Sequence, residues 1–228
     1  LAAVIPNSMF GGQFLQKVEE LSKEENKYYT ERIERFSVLA LPLNQSKTLE
    51  ECLTAFNSPT FFTNKNQYYA DTLKRKIDAK GKEFIEELPD HLIIQLKRFE
   101  YDVSIGNLKK IDTPISISKE IDVASICEFK QKDEKRSTKY NLCGVIMHSG
   151  TPTGGHYYSF VMQRETNNWY KFNDSEVTPI TIDDVLTYSK GYSANAYLLF
   201  YDRSDLVEID DSKIDQSFAI QLQEENKM

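Results

Sequence analysis

The sequence predicts an α+β fold built on a largely antiparallel sheet, and three observations predict it. Five segments of strand composition crowd the second half of the chain, at 92–99, 140–148, 156–163, 168–174 and 196–202, rich in aromatic and β-branched residues. Only two stretches carry helix signals, at 48–57 and 181–189, so helices do not alternate with strands as they do around a parallel sheet. Thirteen Tyr and thirteen Phe among 228 residues supply the bulk for an aromatic core.

In chain order, residues 1–13 read as a lead-in punctuated by Pro6, Gly11 and Gly12. From Phe14 to Glu34 charge dominates and periodicity is weak, which suits exposed strands or a solvated helix. Residues 36–43 read as a strand. Thr48-Leu-Glu-Glu51 forms a capping box, after which Leu49, Cys52, Leu53 and Phe56 fall on one helical face. Cys52 in such a stripe reads as a packed, inert thiol. Residues 60–81 are polar and basic, 122–137 read as a loop, and 181–189 as a short helix with Asp183 and Asp184 near its positive end. Residues 204–228 form an acidic extension, either helix or tail.

Composition narrows the function classes. The chain is 40% hydrophobic and 28% charged, ordinary for a globular protein. A net charge of −7 argues against a nucleic-acid partner, which normally meets a basic face. No run of eighteen apolar residues is present, so no membrane-crossing helix is expected. Cys52, Cys127 and Cys143 form no CxxC pair and no disulfide framework; reduced thiols in a cytoplasmic or nuclear compartment are the simpler expectation, with no metal or cofactor site.

The segment His148-Ser-Gly-Thr-Pro-Thr-Gly-Gly-His-Tyr-Tyr-Ser-Phe160 carries the most chemistry. Two glycines allow close backbone approach immediately before His156, and a strand is expected to start at that histidine. A ring fixed at a strand end yet facing a loop edge suits a general base. A satisfied histidine is the commoner fate of such a residue. Downstream, Asn173 and Asp174 point to opposite faces of a strand, so one of them reaches the ring. That group is expected to accept a hydrogen bond from Nδ1–H and leave Nε2 for a nucleophile. None of the three cysteines sits where a helix start or a cation would activate it.

These residues resemble the ubiquitin-specific protease family of papain-like cysteine proteases. Tyr140-Asn-Leu-Cys-Gly-Val-Ile-Met-His-Ser-Gly followed by Gly-Gly-His-Tyr-Tyr158 is similar to the family's histidine box. Trp169-Tyr-Lys-Phe-Asn-Asp-Ser-Glu-Val177, Asn195-Ala-Tyr-Leu-Leu-Phe-Tyr201, Leu88-Pro-Asp-His-Leu-Ile-Ile-Gln-Leu-Lys-Arg-Phe99 and Met9-Phe-Gly-Gly-Gln-Phe14 resemble other family segments. The resemblance implies β-rich fingers over 14–83, a palm with an antiparallel sheet over 84–203, and hydrolysis of the bond after ubiquitin's terminal glycine. It implies that His156 is the base, Asn173 the third triad member and Asp174 a helper or its substitute. Phe99, His148, Gly155 and Tyr157 match the channel for ubiquitin's tail, and residues 100–107 and 149–155 its gating loops.

Two departures follow. Where many members bind zinc through two CxxC pairs, this chain has Glu20 and Lys23, then Ala70 and Leu73, as in a zinc-free branch. Packing of Tyr68, Tyr69 and Leu73 is expected to hold the fingers instead. The family's cysteine box, which opens the thumb, has no counterpart in residues 1–228. The expectation is a fragment inactive by itself, or a ubiquitin-binding scaffold without catalysis.

Overall fold

A computed structural model describes residues 7–23, 27–104, 106–129, 136–191 and 194–206. Residues 1–6, 130–135 and 207–228, on which parts of the lead-in, the 122–137 loop and the C-terminal extension were expected, lie outside these. The architecture is α+β and largely antiparallel.

A one-turn helix α1 (Asn7–Phe10) leads into β1 (Gly12–Glu20) and β2 (Tyr29–Phe36), which pair antiparallel from Gly12↔Phe36 to Glu19↔Tyr29. Charge along 14–34 therefore decorates exposed strands, the first of the two expected alternatives. Next come β3 (Leu39–Pro42), α2 (Leu49–Phe56), β4 (Thr60–Phe62), the hairpin β5 (Tyr68–Ala70) and β6 (Arg75–Ile77), and β7 (Ala79–Glu87). The smaller sheet runs β2-β1-β7-β4.

The remaining elements are β8 (His91–Lys97), β9 (Phe99–Asp102), β10 (Asn107–Lys110), β11 (Glu120–Asp122), β12 (Lys139–Thr151), β13 (Gly154–Gln163), β14 (Asn168–Asn173), β15 (Glu176–Ile180), α3 (Ile182–Lys190) and β16 (Asn195–Arg203). The large sheet runs β15-β14-β13-β12-β16-β8-β3, with β11 beside the start of β12. All its pairings are antiparallel except β3 with β8. A boundary at residue 83 does not follow these sheets: β3 is an edge of the large sheet, and α2 packs into that sheet's core.

Alternation explains the burial. Leu92, Ile94 and Leu96 of β8, Val145 and Met147 of β12, and Leu199 and Tyr201 of β16 point to one face. Leu49, Cys52 and Leu53 of α2 and Val185 of α3 close over it. Each helix starts as its sequence demands. Thr48 Oγ1 accepts from Glu51 N–H at 3.2 Å, and Thr181 Oγ1 accepts from Asp184 N–H at 3.1 Å. The return bond of the expected capping box is displaced by one residue, because Glu51 Oε2 accepts from Lys47 N–H at 2.6 Å rather than from Thr48.

The fingers-like region has its own small core of Ala70, Ile77 and Ala79, with Val18, Tyr28, Phe62 and Tyr68 against it. Tyr68 packs as expected, whereas Tyr69 and Leu73 stay exposed. The period-2 alternation that sends Tyr68 inward sends Tyr69 out. Tyr28 and Phe62 take the filling role, with ring centroids 6.1 and 5.8 Å from that of Tyr68. Of the positions matched to zinc ligands, Glu20 pairs with Arg75 at 2.9 Å, Ala70 is buried in this core, and Lys23 and Leu73 face solvent.

Candidate active site

The β12–β13 hairpin and the end of β14 build the site. The hairpin is in register from Gly144↔Val161 to Thr151↔Gly154. β12 therefore continues past His148, and β13 begins at Gly154, two residues before His156. The glycines extend the ladder rather than ending it, because a bare backbone pairs through Gly150↔Gly155. Gly150 holds φ +113, open to glycine at little cost. At Gly155 a Cβ would overlap both His148 Nε2 and the Ser149 carbonyl.

His156 is exposed, and its Nε2 lies 2.6 Å from Asn173 Oδ1. With that oxygen accepting, Nε2 carries the hydrogen and Nδ1 keeps the basic lone pair. This reverses the expected use of the two nitrogens. Asn173 follows Phe172, the partner of Ser159, so it stands level with Tyr158 rather than with His156. The ring must lean along its strand, and its distal nitrogen makes the reach. The choice between Asn173 and Asp174 is geometric. Asn173 is the last residue of β14, whereas Asp174 enters the two-residue turn to β15 with φ +52 and stays exposed. Asp174 makes no hydrogen bond to His156 among the described residues.

On the opposite face of the same hairpin, four rings close a circuit. Phe99 meets His148 at 5.3 Å between centroids, His148 meets Tyr157 at 4.7 Å, Tyr157 meets Tyr197 at 6.1 Å, and Tyr197 meets Phe99 at 5.6 Å. Gly155 lies over His148. Phe99, His148, Gly155 and Tyr157 are thus brought together. His148 is buried, and its Nδ1 has no hydrogen-bond partner. Burial, then the Lys110 ammonium, hold its pKa below the ordinary histidine value, with Asp112 opposing. It is therefore neutral at pH 7.

Sequence reasoning missed two residues here. Tyr197 reaches the cluster because the β12–β16 register shifts between Ile146 and Met147, leaving Tyr197 as the extra residue of a bulge. Gln95 Nε2 donates to its hydroxyl at 2.8 Å. Arg98 is fully buried at the break between β8 and β9. Its Nε donates to Ala196 O at 2.6 Å, and Nη1 donates to Ile111 O and Thr113 O, both at 2.9 Å. It thereby ties the base of the β9–β10 hairpin to β16 and seats Phe99. Burial lowers its pKa to about 10, so it remains charged at neutral pH. The Lys-Arg-Phe triplet marks the position in sequence, but nothing in it shows a guanidinium turned inward.

No thiol of the chain is placed to attack. Cys52 lies in the core beneath the sheet. Cys127 donates to Val123 O at 3.2 Å and Cys143 to Phe200 O at 3.3 Å, and burial pushes both up to about 12. Cys143 also sits six residues along β12 from Ser149, the partner of His156, a span of roughly 20 Å.

Comparison with known proteins places the chain in a family. A sequence model described as ubiquitin carboxyl-terminal hydrolase matches residues 2–201. The chain is 29% identical over 232 residues to mouse ubiquitin carboxyl-terminal hydrolase 9X, covering 79% of this chain and 9% of that protein. It is 33% identical over 197 residues to ubiquitin carboxyl-terminal hydrolase 15 of Schizosaccharomyces pombe, covering 82% and 17%. Among solved structures, the SAGA Ubp8/Sgf11/Sus1/Sgf73 DUB module bound to ubiquitin aldehyde contains a chain that superposes with TM-score 0.71 at 30% identity, covering 88% of this chain and 42% of that one. The chain thus spans less than half the length of each of these relatives.

Proposed function

Because the chain belongs to the ubiquitin carboxyl-terminal hydrolase family, a family of deubiquitinating cysteine proteases, we propose that it is the fingers-and-palm portion of such an enzyme, supplying the base and its orienting amide. The observation that carries this reading is the 2.6 Å contact between His156 Nε2 and Asn173 Oδ1 on one face of a glycine-rich hairpin whose other face carries the aromatic circuit. The solved relative was captured with ubiquitin aldehyde, which supports ubiquitin as the partner. The smaller sheet acts as fingers and the larger as palm.

In this reading Asn173 fixes the ring so that Nδ1 faces a cysteine thiol and takes its proton. The thiolate attacks the carbonyl carbon of ubiquitin's terminal glycine, forming a tetrahedral oxyanion. Collapse breaks the C–N bond, and the imidazolium returns the proton to the departing lysine amine. Water, deprotonated by His156, then cleaves the thioester and frees the carboxylate. Phe99, His148, Tyr157 and Tyr197 hold the extended diglycine, and Gly155 leaves room for the His148 ring among them. The thiol comes from outside residues 1–228, since Cys52, Cys127 and Cys143 are all turned away from His156.

The burial of those three thiols equally supports a second reading, a ubiquitin-binding scaffold without catalysis. Hydrolysis of a ubiquitin–fluorophore substrate separates the two. A protein that contains residues 1–228 together with a thumb-type cysteine helix should turn over, and His156→Ala should lower kcat by at least about 10³-fold while ubiquitin still binds. Undiminished turnover in that variant would remove His156 from the mechanism, and no ubiquitin binding by either protein would remove both readings.

A further inference from the structure

The β5–β6 hairpin presents a positive surface that the proposed hydrolysis does not use. Residues 60–82 hold six basic and two acidic side chains, a net +4 within a chain of −7, so the other residues carry −11. Some of these cations are engaged. Arg75 pairs with Glu20 at 2.9 Å, Lys80 with Glu19 at 3.0 Å, and Lys82 stands 4.7 Å above the Phe84 ring. Lys65, Lys74 and Lys76 are exposed and have no hydrogen bond or ion pair among the described residues.

Apolar groups stand beside these free ammoniums. Tyr69 lies directly opposite Lys76 in the hairpin register and is 49% exposed, and Leu73 in the connecting turn is 42% exposed. The inward face of the same hairpin, with Tyr68 and Ile77, is used by the fingers' own core, so the outward face is not needed for folding. Lys74 also holds φ +52, where Gly or Asn sits at lower steric cost. Lys74 is exposed in that turn.

We propose that this tip docks an acidic protein segment carrying an aromatic or branched apolar side chain. Lys74 and Lys76, with Lys65 one turn ahead of β5, meet the carboxylates, while Tyr69 and Leu73 receive the apolar group. The surface favours a protein over a nucleic acid. Its free cations are lysines on a convex turn rather than arginines lining a groove, the hairpin offers one exposed ring to stack on, and the rest of the chain repels a polyphosphate.

The test is a fluorescence titration of the chain with three labelled probes: a short Glu-, Ser- and Phe-containing peptide, the same peptide with Lys for Glu, and an oligothymidylate of equal length. The acidic peptide should bind, and the other two should bind at least about tenfold more weakly. Lys74→Glu combined with Lys76→Glu should weaken acidic-peptide binding about tenfold, and Tyr69→Ala should weaken it at unchanged net charge. Circular dichroism establishes that each variant is folded, and Lys76→Gln replaces the double variant if that one is not. Ubiquitin affinity, measured on the unsubstituted chain, reads the protease proposal by itself, so failure of that reading stays separate from failure of this one. No acidic-peptide binding, equal binding by folded charge-altered variants, or tighter binding of the oligothymidylate would each overturn the proposal.

Discussion

Asn173 and Asp174 are neighbours with equal chemical claims on His156, and one peptide unit separates their fates. Asn173 ends a paired strand, so its side chain is held toward β13. Asp174 takes the left-handed position of the following turn and faces water. Replacing Asn173 with Ala in a thiol-containing enzyme should cut kcat by about 10²-fold or more with little change in KM. Asp174→Asn should stay within about twofold, since no contact to the ring is lost. A steady-state comparison of the two checks both, and the opposite ranking would make Asp174 the orienting group.

Gly155 poses a steric question of the same size. A methyl group there would push His148 out of the aromatic circuit. Gly155→Ala should destabilise the fold by about 1–3 kcal/mol and weaken ubiquitin binding. Urea unfolding and a ubiquitin titration read the two effects. At this scale His156 was legible from its type and from the glycines before it, which allow close backbone approach, whereas His148 was legible only through the family resemblance. The nitrogen that bonds Asn173 was not, because ring orientation depends on strand register.

Among elements, the β9–β10 hairpin shows most clearly how placement is achieved. A two-stranded ribbon is marginal by itself, and this one carries exposed Tyr101, Val103 and Leu108. Arg98 anchors it by bonding three backbone carbonyls from inside the protein. Arg98→Met should therefore cost about 3 kcal/mol or more, because buried acceptors are left unpaired. Urea midpoints at constant slope would show it. An unchanged midpoint would mean that water enters to take the guanidinium's place. For α2 the sequence-level logic is more direct. Thr48→Ala should cost about 1 kcal/mol by removing the acceptor for Glu51 N–H. Helices α2 and α3 were readable from a capping box and from acidic residues near a helix start, and five of the later strands from composition. The bulge that exposes Tyr197 was not, since a one-residue register shift leaves no trace in composition.

At the scale of the whole molecule, burial of ionisable groups sets the response to pH. Cys127 and Cys143 are pushed up to about 12 by burial, against about 8.5 for a free thiol. A raised folded pKa contributes stability that is complete below the unfolded value and lost as pH climbs toward the folded one. Stability should therefore stay level with respect to these thiols up to about pH 8.5, then fall by as much as about 1.4 kcal/mol per pH unit for each thiol. Burial of Tyr140 and Tyr201 acts in the same direction at higher pH. Cys127→Ala and Cys143→Ala should flatten the loss between about pH 8.5 and 10, below the range in which free phenols ionise. A slope unchanged by both substitutions would show that neither thiol is shielded.

The sequence by itself determined the α+β class, the family and the cluster of residues from which a site would be drawn. The class rests on strand composition and sparse helix signals, the family on motifs that resemble its own, and the site on glycines placed beside a histidine. Tertiary structure alone decided which nitrogen of His156 bonds Asn173, that Arg98 turns inward, that β3 and α2 serve the large sheet, and that Tyr69 faces solvent while Tyr68 fills a core. Each of these depends on which strands become neighbours and in what register. Register is settled by contacts between residues far apart in the chain, whose side chains meet only once the sheet has closed.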